Sequence, residues 1–374
     1  VKGEVVIEQE VPVVIGEADD SPDEDDEGPV FIERQILSAA RPQLRYRLAP
    51  RQYLKIFRTY GDAEQFFRDQ LAQDEKSGNP RQVQNGLLGL ATILNAVGKP
   101  KEAVPLFERA LALAAENRNT EREVRLCRRL GATYRDGLKD FAKATAMYQR
   151  ALAIQQRRTP SGASVGLAQA YTALGRTAGY AGDTSAWVAS MEKAVAIHRR
   201  LDPGERRMTT AKGYKNLADA YGAAGRRDDA LRVYRQTLAL KQKLRPGGRD
   251  PSLARSLGDL GQSYVQMGKP AAGLPYLRQA LQMRVELFDG SHPSIANSHD
   301  DLGRAYARAG DAARALASFR QALDLRLKLY PDGAHPSLLR SYRNLGKAAR
   351  EAGNTKAAEE YEARAKEMKE ELED

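Results

Sequence analysis

The chain has 374 residues, with 59 Lys or Arg against 49 Asp or Glu, so its net charge at pH 7 is +10. Its mean hydropathy is −0.58, and no stretch approaches 18 apolar residues, which excludes a membrane-spanning helix from the sequence. The one cysteine, Cys127, excludes an internal disulfide and fits a reducing compartment. We therefore expect an intracellular protein, in the cytoplasm or in the interior of an organelle.

The net charge conceals a division between the N-terminal segment and the rest of the chain. Residues 1–28 hold one Lys and eleven Asp or Glu, whereas the remainder holds 58 basic and 38 acidic residues. Residues 17–27 read EADDSPDEDDE, a composition typical of disorder, and we expect residues 1–28 to be disordered or extended. The opposite signs predict that residues 17–27 interact with the chain's own basic body or with a basic partner.

Residues 29–60 are basic, and aromatic residues such as Tyr46 and Tyr53 are interleaved with the Arg and Lys. This pattern favours a helix that caps a repeat array, and it also fits an arm that binds single-stranded nucleic acid. Residues 61–79 resemble the second helix of a degenerate repeat, with Ala63 and Phe67 in its small and large positions. We predict that residues 29–81 form a basic segment followed by a degenerate helical hairpin.

From about residue 82 to residue 374 the sequence repeats itself. Two columns of residues recur at intervals of 40–44 residues, which predicts an array of about seven repeats. The first column consists of Leu90, Leu130, Leu174, Leu217, Leu260, Leu302 and Leu345. The second consists of Ala110, Ala151, Ala194, Thr237, Ala280, Ala322 and Ala365.

Each repeat is predicted to be two helices. The first ends near a glycine, because glycine tolerates the positive φ of a helix C-terminus. These glycines are Gly98, Gly182, Gly225, Gly268, Gly310 and Gly353. In the later repeats a proline suits the first turn of the next helix, with Asp250 or a neighbour as its cap: Pro251, Pro293 and Pro336. Small residues in the glycine and alanine columns predict that the two helices of a repeat approach each other closely.

Trp187, the only tryptophan, stands where most other repeats have Ala or Gly. In the same repeat the usual Tyr is replaced by Ala178. Such an exchange conserves volume, so we interpret Trp187 as a packing residue rather than a binding residue.

The motif Leu-Gly-x-x-Tyr followed by a small residue and an Ala resembles the tetratricopeptide repeat, and the 42–43-residue period resembles the kinesin light chain subclass. The resemblance covers residues 82–374. It implies an all-α, right-handed solenoid of stacked antiparallel hairpins. It says little about function, since such repeats bind many unrelated partners.

No catalytic motif is present. The Gly-Lys pairs at residues 98, 268 and 346 are followed by Pro, Pro and Ala, so none is a phosphate-binding loop. Four histidines and one cysteine give no zinc-ligand spacing. We expect no cofactor, no metal and no enzymatic activity.

The resemblance also implies which residues bind a ligand, because first helices line the concave groove of tetratricopeptide arrays. We call the places five, two and one before each signature Leu, and two, five and six after it, the groove positions. They hold Arg125, Arg128, Arg129, Arg135, Asp136, Arg176, Lys212, Lys215, Asn216, Asp219, Arg255, Asp259, Asn297, Asp300, Asp301, Arg304, Arg308, Arg340, Arg343, Asn344, Lys347, Arg350 and Glu351.

In kinesin light chain-like repeats an Asn just before the Leu contacts the backbone of an extended peptide. Asn216 and Asn344 match that pattern, whereas Asp259 and Asp301 depart from it. The alternative interpretation is that the groove positions form an ordinary solvated surface.

Two functions follow as hypotheses. The first is a non-enzymatic scaffold or adaptor that holds an extended, acidic protein segment in a basic groove, through charge-assisted contacts from Arg. The second is a nucleic-acid-associated protein, or a structural subunit of a large and possibly organellar assembly, that uses the basic body and residues 29–60.

Overall fold

The computed structural model describes residues 59–288, 290–331 and 333–373, and all its regular elements there are helical. The predicted acidic segment and nearly all of the basic segment 29–60 lie outside the described residues. The α-helices are α1 (Tyr60–Ser77), α2 (Pro80–Ala96), α3 (Pro100–Glu116), α4 (Thr120–Ala132), α5 (Phe141–Arg158), α6 (Val165–Tyr180), α7 (Thr184–Leu201), α8 (Met208–Ala223), α9 (Arg227–Leu244), α10 (Pro251–Gln266), α11 (Pro270–Leu287), α12 (Pro293–Arg308), α13 (Ala312–Leu329), α14 (Pro336–Glu351) and α15 (Thr355–Glu373).

The chain divides into two compact units, the first ending at Arg158 and the second beginning at Thr159. In unit 1, α1 packs on α2, and the hairpins α2–α3 and α4–α5 pack on each other. Unit 2 contains five hairpins, from α6–α7 to α14–α15, and each packs on the next. The predicted all-α solenoid of seven hairpins is confirmed, with α1 as a further helix before them. The domain limits at residues 28 and 81 stay predictions.

The predicted starts of the later helices are confirmed. Pro251, Pro293 and Pro336 each occupy the first turn, where a missing N–H costs nothing. Asp250 caps α10, its Oδ1 accepting from the Ser252 N–H at 2.6 Å. His335 caps α14, its Nδ1 accepting from the Ser337 N–H at 3.1 Å.

The turns before α12 and α14 each contain a stacked pair of rings. Phe288 and His292 have centroids 3.8 Å apart, and Tyr330 and His335 have centroids 3.6 Å apart. Both rings are nearly parallel in each pair, so the capping histidine is held against the end of the preceding helix. Each turn therefore joins two hairpins through fixed contacts.

The first helices end as predicted, on glycines in the left-handed region. The φ angle is 77° at Gly98 and 79° at Gly310, which a residue with a Cβ rarely adopts. The helices within a hairpin also approach closely, as predicted. A Cβ built on Gly303 would lie 2.6 Å from the Phe319 ring, and one on Gly261 would lie 2.7 Å from the Leu277 side chain. These two hairpins thus require glycine at that place, and Ala91 and Ala218 stand there in two others.

Trp187 packs inside its hairpin. A Cβ on Gly179 would lie 2.7 Å from its indole ring, which also packs against the cluster containing Val188 and Met191. The indole Nε1 is buried and has no hydrogen-bond partner. These contacts agree with a packing role.

None of the described helices is both long enough and apolar enough to cross a membrane.

Candidate binding face

The first helices of unit 2 bring many of the groove positions onto one connected surface, which we call the first-helix face. Gln262 of α10 reaches the Asp301 carbonyl of α12 at 3.4 Å, and Arg308 of α12 reaches the Val265 carbonyl at 3.0 Å. Burial opposes the charge of Lys215, but Asp219 and Asp259 outweigh it and raise the pKa of Lys215. Charges on adjacent first helices therefore act on one another.

One cluster on this face joins α8, α9 and α10. Lys215 Nζ lies 2.7 Å from Asp219 Oδ2, and Tyr234 Oη donates to Asp219 Oδ1 at 2.6 Å. Asp259 lies near both charges, yet its Oδ2 is buried without a hydrogen-bond partner. Burial raises the pKa of Asp259 to about 6, although Lys215 acts to lower it. This carboxylate therefore keeps a buried acceptor atom that no group of the described residues pairs.

A second cluster joins α12, α13 and α14. Arg326 is 2% exposed and donates to Asp300 Oδ2 at 2.7 Å, to Asn297 Oδ1 at 2.8 Å and to Ser341 Oγ at 2.6 Å. Arg340, half exposed, donates to the same Asn297 oxygen at 2.9 Å. The prediction that Asp300 contributes to the groove surface is wrong, because this carboxylate is 1% exposed and paired with Arg326.

Arg326 belongs to a basic column that the groove positions missed. At the same place in the first four second helices of unit 2 stand His198, Lys241, Arg284 and Arg326, spaced by one repeat. Lys241 donates to the Ser252 carbonyl at 2.8 Å, and Arg284 donates to Ser298 Oγ at 2.5 Å. Each therefore contacts the first helix of the following hairpin. The recurrence at the repeat period is the signal that would have found this column.

Several predicted groove residues form ion pairs within the chain. Arg304 pairs with Asp301, and Lys347 lies 3.9 Å from Glu351. Burial raises the pKa of Asp301, and Arg304 opposes that rise. The first-helix face of unit 2 is therefore a mixture of both signs rather than a uniformly basic surface.

The remaining predicted residues of unit 2 lie on the same helices with differing exposure. Asn344 is partly buried, and its Nδ2 has no hydrogen-bond partner. Arg176, Arg255 and Asn216 are also partly buried. The exposed members include Lys212, Asn297, Arg304, Arg340, Arg343 and Lys347.

In unit 1 the predicted residues lie on α4. Arg125, Arg128 and Arg129 are partly buried, and Arg125 lies 3.3 Å from Glu121. The assignment of Arg135 to the groove surface is wrong. A π-helical turn, Thr133–Gly137, follows α4, and it places the Arg135 side chain in the interior, 1% exposed and 2.7 Å from Asp136.

The described residues contain no group of three or more His, Cys, Asp or Glu that would hold a metal ion. Burial raises the pKa of the Cys127 thiol to about 11, so it is protonated at neutral pH. The chemistry that the first-helix face offers is hydrogen bonding and charge.

Models of the tetratricopeptide repeat match residues 82–157, 214–247, 252–328 and 301–371. No curated protein matches the chain. BtubC from P. vanneervenii is 21% identical, with a TM-score of 0.54 over 62% of this chain and 92% of that chain. A variant of a putative kinesin light chain from Podospora anserina is 22% identical, with a TM-score of 0.51 over 56% and 97%. RapI is 13% identical, with a TM-score of 0.61 over 82% and 80%. These identities show a shared fold.

Proposed function

Because the chain belongs to the tetratricopeptide repeat family, whose models together match more than half of it, we propose that it is a non-enzymatic scaffold or adaptor that holds an extended, acidic protein segment on its first-helix face. Solenoids commonly bind partners along such a face.

The observation that carries the acidic preference is the charge around Arg340. Three guanidinium groups, those of Arg304, Arg326 and Arg340, lie near two carboxylates, those of Asp300 and Asp301. Burial lowers the pKa of Arg340, and the charge of Arg326 lowers it further. A carboxylate of a ligand would balance the surplus charge and accept a bidentate hydrogen bond from Arg340.

Two further groups suit the backbone of an extended segment. Asp259 Oδ2 is an acceptor without a partner, and Asn344 Nδ2 is a donor without a partner. Both atoms are closed to solvent, so an extended chain, which presents N–H and C=O groups alternately, complements them only when the two side chains turn outward. Asp in place of Asn at residue 259 thus keeps a side-chain hydrogen-bond acceptor and lacks the side-chain donor.

The test uses a fluorescent peptide of residues 17–27 as the acidic probe and measures its anisotropy with the full chain and with Arg340→Gln. We expect about tenfold weaker binding, because a charge-assisted hydrogen bond contributes about 1.5–3 kcal/mol. Arg227→Gln is the matched control, since Arg227 is exposed on the second helix α9. Equal affinities for Arg340→Gln and Arg227→Gln would refute the proposal.

Residues 17–27 also suggest competition within the chain, and we extend the proposal to it. A chain without residues 1–28 should bind the same peptide more tightly than the full chain, and the gain should shrink as salt is added. Unchanged affinity and unchanged salt dependence would reject the internal contact. Displacement of the peptide by single-stranded nucleic acid, with a steep salt slope, would favour the nucleic-acid hypothesis instead.

A further inference from the structure

A cleft opens between the second helices α11 and α13, with the first helix α12 as its floor. Its volume is ≈ 390 Å³, within the usual size of ligand pockets. Its lining consists of Val285, Phe288, Gly290, Ile295, His299, Gln321, Asp324 and Leu325. None of the groove positions is among them, so this is a different surface from the first-helix face. Val285 is 53% exposed at its rim.

The next repeat shows why space remains here. At the places equivalent to the lining of the cleft, one repeat later, the chain has Leu327, Tyr330, Leu338, Tyr342, Arg364, Glu367 and Met368. Most of these side chains are larger than their counterparts and none is much smaller. Leu338 and Met368 are buried in one core cluster, with Tyr330 and Tyr342 packed against it. One repeat later, the chain's own side chains fill the space that stays open at the cleft.

The residue that decides the chemistry is His299. Its counterpart Tyr342 is hydrogen-bonded to Arg364, and Tyr214 and Tyr171 stand at the same place in earlier repeats. His299 Nδ1 is buried and has no hydrogen-bond partner. Burial lowers the pKa of His299, and Asp300 opposes that shift. This nitrogen is closed to solvent, so a ligand in the cleft meets the accessible edge of the partly buried imidazole ring.

We propose that this cleft binds one tyrosine side chain of a partner protein, with the ring against Val285, Ile295 and Leu325 and the hydroxyl group at the accessible edge of the His299 imidazole. A phenol suits either tautomer of the imidazole, because its hydroxyl group both donates and accepts. At this site the partner supplies the aromatic ring that Tyr342 supplies one repeat later. The array then holds a partner on its second helices independently of the first-helix face.

The test uses N-acetyl-tyrosinamide and N-acetyl-phenylalaninamide as probes, titrated into the full chain and followed by saturation-transfer NMR. We expect the tyrosine probe to bind about fivefold more tightly, the effect of one hydrogen bond worth about 1 kcal/mol. In His299→Phe the two probes should bind within twofold of each other, because the ring remains and the nitrogen is gone.

Exchange of residues between the two repeats supplies the control. His299→Tyr with Leu325→Met fills the cleft from within, so tyrosine-probe binding should fall at least tenfold while the melting temperature stays the same or rises. Tyr342→His with Met368→Leu should create a second binding site. Circular dichroism checks that each variant is folded.

Three outcomes would overturn the proposal. One is equal binding of the two probes by the unaltered chain, and another is undiminished binding by the filled variant. The third is binding of p-cresol without binding of N-acetyl-tyrosinamide, which would assign the cleft to a free small phenol.

Discussion

The interiors of the hairpins and the junctions between hairpins are built by different means. Inside a hairpin, Gly303 lies under Phe319 and Gly261 lies under Leu277, so close apolar contact joins the two helices. At a junction, Lys241, Arg284 or Arg326 crosses from a second helix to the next first helix and contacts polar groups there. Arg326 also pairs with Asp300 inside its own hairpin. The first arrangement recurs from repeat to repeat, whereas each junction is different.

The difference shows which contacts can vary from one repeat to the next in such an array. A hairpin interior is set by steric fit, which leaves little choice of residue. A junction tolerates several polar solutions, provided that each buried charge finds partners. Arg326 reaches the Ser341 hydroxyl group across its junction and Asp300 and Asn297 inside its own hairpin, whereas Lys241 reaches a backbone carbonyl group. One oxygen of Asp259 and one of Asp300 are buried without a partner.

The largest expected effect is the loss of Arg326. Arg326→Met removes the buried counter-charge of Asp300 and leaves it only the half-exposed Arg340, 3.6 Å away, so we expect a loss of about 3 kcal/mol in the free energy of unfolding, measured by urea titration. Asp300→Leu added to Arg326→Met should restore most of the loss, because the uncompensated charge is then removed.

Lys241→Met is the matched control at another junction. Lys241 donates to a backbone carbonyl group, and burial lowers its pKa, so we expect less than half the loss of Arg326→Met. Equal losses in the two variants would show that the junctions do not differ as their contacts indicate.

A smaller effect should separate two glycines of first helices by sign. Gly303→Ala forces the Phe319 ring aside and should destabilise by about 1–3 kcal/mol. Gly258 has more room, because an added Cβ would meet its nearest atom, on Arg284 of the same hairpin, at 3.6 Å. Gly258→Ala should therefore stabilise by about 0.5–1 kcal/mol through helix propensity. Thermal or urea unfolding of both variants measures the contrast, and the same sign for both would contradict it.

The smallest effect concerns pH. Because the pKa of Asp259 is raised to about 6, the folded state disfavours its ionised form, and stability is lost as pH rises from about 4 to about 6. Lys215, Arg255 and Lys241 limit this loss, and Asp219 adds to it. Asp259→Asn should gain about 1–2 kcal/mol over the unaltered chain at pH 7, and nothing at pH 4.

Urea titrations of both proteins at pH 4, 5, 6 and 7 give the difference curve. Asp219→Asn serves as the comparison, because Asp219 is paired with Lys215 and its loss should not stabilise the chain at any pH. The difference in the free energy of unfolding between Asp259→Asn and the unaltered chain should change with pH. If it does not, the unpaired oxygen of Asp259 does not contribute to the properties of the site.

The sequence predicted the hairpin interiors because their determinants are local and periodic. Gly98 and Gly310 end helices through their own φ, and the Leu260 column keeps one period. The burial of Arg135 could not be predicted from the repeat period, because it depends on the π-helical turn Thr133–Gly137 that follows α4. Asp300 was misplaced for a related reason, because its partner Arg326 lies on another helix 26 residues away. Pairing between the charged side chains of two packed helices depends on how those helices pack, which periodicity does not specify.

The stacked rings at the turns before α12 and α14 also make the chain divisible. Phe288 with His292, and Tyr330 with His335, repeat the same ring, cap and proline arrangement one repeat apart. A chain cut at the first turn and rejoined at the second would lose one complete hairpin and retain an intact connection. Arrays of this kind can therefore lengthen or shorten by duplication or deletion of whole repeats. Each new connection between hairpins then has the same ring and cap contacts as the old one.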